Sequence, residues 1–186
     1  ALASKSSPLQ KLYAGDAQLS PLVSFDEQVS QSLSPAFSGE GYPRQDLSLV
    51  KHGKAEQQLV SSRSAAEYGL EVNGAPEYEA PSALAMAAGT LAQADILKQL
   101  GTGLYISNLW YLNYSDQPAA RLTGMTRFAT FWVENGEIQF PVQEVTIAGN
   151  MRDMFKQIVA VGNDLELRSN IRTGSVLIER MTVAGS

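Results

Sequence analysis

Apolar positions fall in short runs separated by Gly, Pro, Asn and Ser, with a helical spacing at only a few places. The block 104–114, LYISNLWYLNY, is rich in aromatic and aliphatic residues and long enough for a central strand. A polar break containing Pro118 follows at 115–119, and residues 126–133 and 137–142 then flank Asn135-Gly136. Asn-Gly between two strand-like runs signals a hairpin, because both central residues of a type I′ turn need positive φ. Pro141 lacks an N–H and belongs at a strand end or edge. The block 101–142 is therefore expected to form three long antiparallel strands on which the rest packs. Residues 47–50 and 55–60 flank Lys51-His52-Gly53-Lys54 as a second hairpin, with Gly53 in the left-handed position. Shorter strands are expected at 22–25, 83–88, 145–148, 165–168 and 175–183.

Three segments carry helix signals. Residues 62–68 have a Ser cap and Gly69 as a stop. Thr90 is the expected cap of a helix over 91–100, with Leu91, Ala94, Ile96, Leu97 and Leu100 as its stripe and Gly101 after it. Asn150 is the expected cap of a helix over 151–161, with Met151, Met154, Phe155, Ile158 and Val159 on one face. Residues 8–13 read as a turn or single helical turn, 1–7 as a loose end, and 34–43 and 72–81 as loops. The sum is a mainly β (α+β) fold, an antiparallel β-barrel or sandwich-like domain of about nine strands and three short helices.

Composition narrows the chemistry. The chain has 186 residues, which fits one domain over 1–186. It has no cysteine, which removes disulfides, Cys-ligated zinc and thiol nucleophiles within this chain. His52 is the only histidine, so a two- or three-His metal site cannot come from one copy. A net charge of −5 without a basic run disfavours nucleic acid as a partner. No apolar run is long enough to span a bilayer, so no membrane partner is expected. The start, ALASKSSPLQ, lacks both a signal-peptide core and an initiator Met, which points to a fragment or processed chain and to a cytoplasmic setting.

Among candidate site residues, His52 reads as a solvated turn residue, and Glu134 and Glu137 as acidic residues at a hairpin tip. Gly101-Thr102-Gly103 follows a helix and precedes a strand, the reverse of a phosphate-binding loop. Asn113-Tyr114-Ser115 matches the glycosylation pattern without any sign of secretion. The aromatic strand offers one core face and one face that could meet a partner or peptide, since Tyr and Trp favour interfaces. Tyr105, Asn108, Trp110, Tyr111, Arg121 and Arg127 are the candidates for that surface, the arginines being suited to carboxylate recognition. No catalytic constellation emerges from the residues.

A family resemblance adds to this reading. It is carried by Gly103-Leu104-Tyr105, Phe131 through Ile138 (FWVENGEI), Pro141-Val142, Thr146 through Asn150 (TIAGN), Met154-Phe155, Val161-Gly162-Asn163-Asp164, Arg168 through Ile171 (RSNI) and Gly174 through Leu177 (GSVL). In these residues the chain resembles the C-terminal domain of the TldD/PmbA proteins, also called TldD/TldE metalloproteases or modulators of DNA gyrase. The resemblance implies a missing N-terminal α/β half. It also implies that zinc belongs to a TldD-type catalytic subunit, held by an HExxxH helix and a later cysteine. This chain has no HExxxH, and Thr173 stands at the approximate position of that cysteine. The pattern is closer to the PmbA/TldE side. The expected role is a non-catalytic subunit domain with no cofactor of its own, paired with a TldD-like subunit or a second copy, and acting on extended peptides. The alternatives are a fragment of an active metalloprotease and a gyrase-binding modulator without proteolysis.

Overall fold

Asn135 (φ 53°) and Gly136 (φ 80°) both adopt the left-handed backbone that a type I′ turn requires, so the strongest local signal in the sequence becomes a hairpin. The computed structural model describes Leu2 and residues 5–185. The loose end expected at 1–7 lies partly outside these described residues.

The chain opens with α1 (Gln10–Tyr13), followed by β1 (Phe25–Glu27), β2 (Leu47–Lys51) and β3 (Lys54–Ala55). Next come α2 (Ser62–Tyr68), β4 (Leu84–Met86) and α3 (Ile96–Leu100). A run of strands follows: β5 (Gly103–Ile106), β6 (Leu109–Asp116), β7 (Arg121–Thr126), β8 (Thr130–Glu134), β9 (Glu137–Pro141) and β10 (Val145–Asn150). The chain closes with α4 (Met151–Lys156), β11 (Ile158–Val161), β12 (Glu166–Arg168), β13 (Ile171–Thr173), β14 (Val176–Ile178) and β15 (Val183–Gly185). Four sheets result, ordered β12-β13-β4-β1-β2-β3, β15-β10-β7-β6, β5-β8-β9 and β11-β14. Every pairing is antiparallel except β13 with β4. The mainly β, α+β expectation therefore holds. Among the described residues no sheet closes into a barrel.

Several expected elements differ in extent. The run 104–114 is not one strand. It breaks at Ser107-Asn108, where Ser107 N–H donates to Ala129 O and Asn108 O accepts from Arg127 N–H. β5 then belongs to the three-stranded sheet and β6 to the four-stranded one. The expected helix 151–161 ends at Lys156, and Ile158–Val161 pairs with β14 instead. β-Branched Ile158, Val159 and Val161 favour the pleated surface, and burial of Ile158 and Val161 in the core outweighs the helical stripe. Asn150 still caps α4, its side chain accepting from Arg152 N–H at 3.0 Å. The helix expected over 91–100 begins as a single 3-10 turn at Gln93–Asp95 that runs into α3 at Ile96, and Thr90 does not cap it. Leu91 is held elsewhere: its N–H donates to Val161 O and its carbonyl accepts from Asn163 N–H. The closing strand 175–183 divides into β14 and β15.

The core lies where the six-stranded sheet meets α1, α4 and β11. Leu12, Leu19, Val23, Val50, Met86, Ile158 and Val161 form its buried cluster. Phe25 and Phe155 meet edge to face across it with ring centroids 5.8 Å apart. Arg152 is buried and ties three segments together. Its guanidinium donates to Pro8 O and Ala119 O, both at 2.9 Å. No helix among the described residues is long and apolar enough to cross a membrane.

Candidate functional site

An open groove of about 820 Å³ runs between α3 with β5 on one side and the β12 to β14 segment on the other. Its apolar wall includes Leu91, Ile96, Leu97, Leu100, Leu104 and Ile106. Its polar wall includes Asp164, Glu166, Arg168, Thr173 and Ser175. The apolar wall exists because α3 is short and presents Ile96, Leu97 and Leu100 half-buried, with no residue of the helix fully covered.

The polar wall is internally paired. Asp164 accepts from Ser175 N–H at 3.0 Å and from Ser175 Oγ–H at 2.6 Å. Burial pushes the Asp164 carboxyl up, but the two bonds from Ser175 outweigh it and hold the group below the usual carboxylate range. Gly162 makes this contact possible, because a Cβ there would collide with Asp164 Oδ1. Gly162 N–H also donates to Ser175 O at 2.7 Å. The loop carrying Thr173 is thus pinned from both ends. Glu166 takes two bonds from Arg168, at 3.1 Å from Nε and 2.8 Å from Nη2.

A second feature is the exposed edge strand β6. Leu109, Trp110, Tyr111, Leu112 and Tyr114 are all exposed along it. The Arg127 guanidinium lies 4.8 Å from the Trp110 ring centroid and 5.1 Å from that of Phe128. Trp110 meets Tyr111 edge to face at 5.6 Å. Tyr111 (φ 50°) and Phe128 (φ 61°) both sit in left-handed backbone, Tyr111 where the pairing register of β6 shifts. Bulky side chains rarely adopt this conformation.

The sequence-predicted surface residues therefore separate. Tyr105 and Thr173 line the groove. Trp110, Tyr111 and Arg127 form one cluster on β6 and its neighbour. Asn108 lies at the joint between β5 and β6, and Arg121 lies at the far end of β7 opposite Asp116. Sequence reasoning missed Phe128, because nothing in its neighbours announces a positive φ. It also missed the Asp164–Ser175 pair, for which Gly162 and Gly174 flanking the loop were the available signal. His52 (φ 48°) lies in an exposed turn, where its N–H donates to Ser24 Oγ at 3.0 Å. Glu134 accepts from Trp132 Nε1–H at 2.8 Å and faces Glu137 across the hairpin.

The zinc that the resemblance attaches to a catalytic subunit does not fit the residues present. The described residues contain no group of three His, Cys, Asp or Glu side chains able to hold a metal ion. In the groove the two nearest carboxylates to Thr173 in sequence are already engaged, Asp164 by Ser175 and Glu166 by Arg168. A neutral threonine hydroxyl is also a poor ligand for zinc compared with a thiolate.

Comparison with known proteins agrees with the resemblance. The family described as PmbA/TldA metallopeptidase C-terminal domain matches residues 1–185. The chain is 42% identical over 154 residues to the metalloprotease PmbA of Escherichia coli O157:H7, covering 82% of this chain and 33% of that protein. It is 39% identical over 155 residues to a PmbA homologue of Haemophilus influenzae, with the same coverage. The chain therefore spans about one third of the length of the curated relatives it matches. A TldD homologue from Buchnera aphidicola is 24% identical over 182 residues, covering 84% of this chain and 37% of that protein. Among solved structures, a candidate DNA gyrase modulator from Thermotoga maritima superposes with a TM-score of 0.85 at 26% identity, covering 98% of this chain and 44% of that one. TldE from Thermococcus kodakarensis gives 0.83 at 19% identity, covering 99% and 44%, a likeness of fold. The chain belongs to the PmbA/TldA metallopeptidase C-terminal domain family and is more similar to the PmbA relatives than to the TldD ones.

Proposed function

We propose that this domain belongs to a non-catalytic, PmbA/TldE-like subunit that assists a TldD-type zinc metalloprotease in processing extended peptides. The observation that carries the proposal is the groove, where the carboxylates beside Thr173 are internally paired; the family resemblance sets Thr173 at the approximate position of the zinc-ligand cysteine. Such a wall can bind and orient a chain but has no group poised to activate water. The domain's work in this reading is to help enclose the substrate and dock the partner. β6, the edge of its sheet, offers its outer side for strand addition, and Trp110, Tyr111 and Arg127 offer an aromatic and cationic anchor.

A second reading makes the whole polypeptide a metalloprotease whose zinc ligands lie outside these residues. The PmbA relatives are named metalloproteases, which favours it. Light scattering on a sizing column tests the proposed partnership. The whole polypeptide mixed with a TldD-like subunit from the same source should elute as a mixed complex. Persistence of both as separate species would contradict the proposed partnership.

A further inference from the structure

The chain contains two Asn-Gly pairs, Asn73-Gly74 and Asn135-Gly136. This dipeptide is chemically labile because glycine leaves its backbone nitrogen uncrowded. That nitrogen attacks the Asn Cγ, the Cγ–Nδ2 bond breaks, and ammonia leaves with the proton that the nitrogen gives up. The product is a five-membered succinimide. Solvent water then adds at either carbonyl and opens the ring to aspartate or isoaspartate.

The two sites are guarded differently. The Asn73 side-chain amide is held at both ends: Oδ1 accepts from Val60 N–H at 2.9 Å and Nδ2 donates to Gln58 O at 2.8 Å. Asn73 N–H also donates to Val60 O, and Gly74 is buried against Pro43 O. Attack there requires the segment to leave the fold. Asn135 is exposed, and its side-chain amide makes no hydrogen bond to the described residues. Its guard is indirect. Gly136 N–H, the would-be nucleophile, donates to Gly101 O at 2.7 Å, and Asn135 N–H donates to Thr102 Oγ at 3.3 Å. Both acceptors lie in the Gly101-Thr102 link between α3 and β5, and Gly136 also packs against Lys98 of α3, a five-residue helix with no fully buried residue. An element with so little burial opens locally at low cost.

We propose that Asn135 is a deamidation site of the folded protein, gated by separation of the β8–β9 turn from α3 and the Gly101-Thr102 link that follows it. Because α3 is also the apolar wall of the groove, the conversion reports opening of that wall. The product places a carboxylate between Glu134 and Glu137. Isoaspartate also adds a methylene to a two-residue turn, which disrupts the register on which β8 and β9 depend.

The test is peptide mapping by mass spectrometry of the purified protein during incubation at mildly alkaline pH. In the folded protein, Asn135 is expected to convert faster than Asn73 by about fivefold or more, the ratio expected when three hydrogen bonds rather than two must open at Asn73. In urea the two sites should convert at similar rates. Thr102→Ala removes the side-chain acceptor and should accelerate Asn135 about two- to fivefold while leaving Asn73 unchanged. Thr102→Ser should keep the original rate. Conversion of Asn73 as fast as Asn135, silence at both sites, or no response of Asn135 to Thr102→Ala overturns the proposal. A rise at both sites in the Ala variant does so as well, since Asn73 gauges global unfolding.

Discussion

Glu27 is 1% exposed, and its buried carboxylate is met by several donors. Arg44 Nη2 reaches its Oε1 at 2.6 Å, and Ser82 N–H, Ser82 Oγ–H and Ala83 N–H complete the shell. Arg44 also bonds Ser82 Oγ. A buried ion pair adds little over an apolar pair, but removal of one partner strands the other charge. Arg44→Ala should therefore destabilise the fold by ~3–5 kcal/mol, measured by urea unfolding, and Glu27→Gln in that background should restore part of the loss. Tyr13 supplies the alkaline counterpart. Its hydroxyl donates to Gln57 O at 2.7 Å and Leu49 O at 3.2 Å, and burial pushes it up from 10 to about 12. The fold thus favours the neutral phenol. This contribution is complete below pH 10 and is lost as pH rises from 10 through about 12. Tyr13→Phe, less stable at neutral pH, should show a shallower loss of stability across that window in thermal unfolding.

At the scale of elements, the β8–β9 hairpin shows what local sequence can specify. Asn135-Gly136 sets the turn, and a Cβ on Gly136 (φ 80°) would also stand 3.1 Å from Lys98 Cα. Gly136→Ala should cost about 1–2 kcal/mol in chemical denaturation, from the left-handed backbone alone and from the push against α3. α2 was equally legible, with the Ser61 hydroxyl accepting from Ser64 N–H and Gly69 (φ 67°) ending the helix. Elsewhere tertiary contacts overrode local signals. Residues 151–161 carry a helical stripe, but Ile158 and Val161 bury more as a strand beside β14. Residues 91–92 carry helical spacing, but Leu91 is drawn into backbone pairing with Val161 and Asn163, and the helix begins only with a 3-10 turn at Gln93. The aromatic run 104–114 looked continuous because periodicity does not report a change of sheet at Ser107-Asn108.

At the scale of the molecule, mainly β character and family membership were legible, while the groove was not. It is assembled from α3, β5 and the β12 to β14 segment, far apart in sequence, so no spacing rule could bring Tyr105 and Thr173 to one cavity. The same distance explains why the six candidate surface residues fall into several places rather than one. What unites them in the proposed account is a domain that positions substrate and partner without supplying the reactive group. The direct test is hydrolysis of an unstructured peptide by the whole polypeptide, purified alone and then together with a TldD-like subunit, with and without a zinc chelator. The account predicts no hydrolysis by the polypeptide alone and chelator-sensitive hydrolysis by the pair. Chelator-sensitive hydrolysis by the polypeptide alone would contradict it.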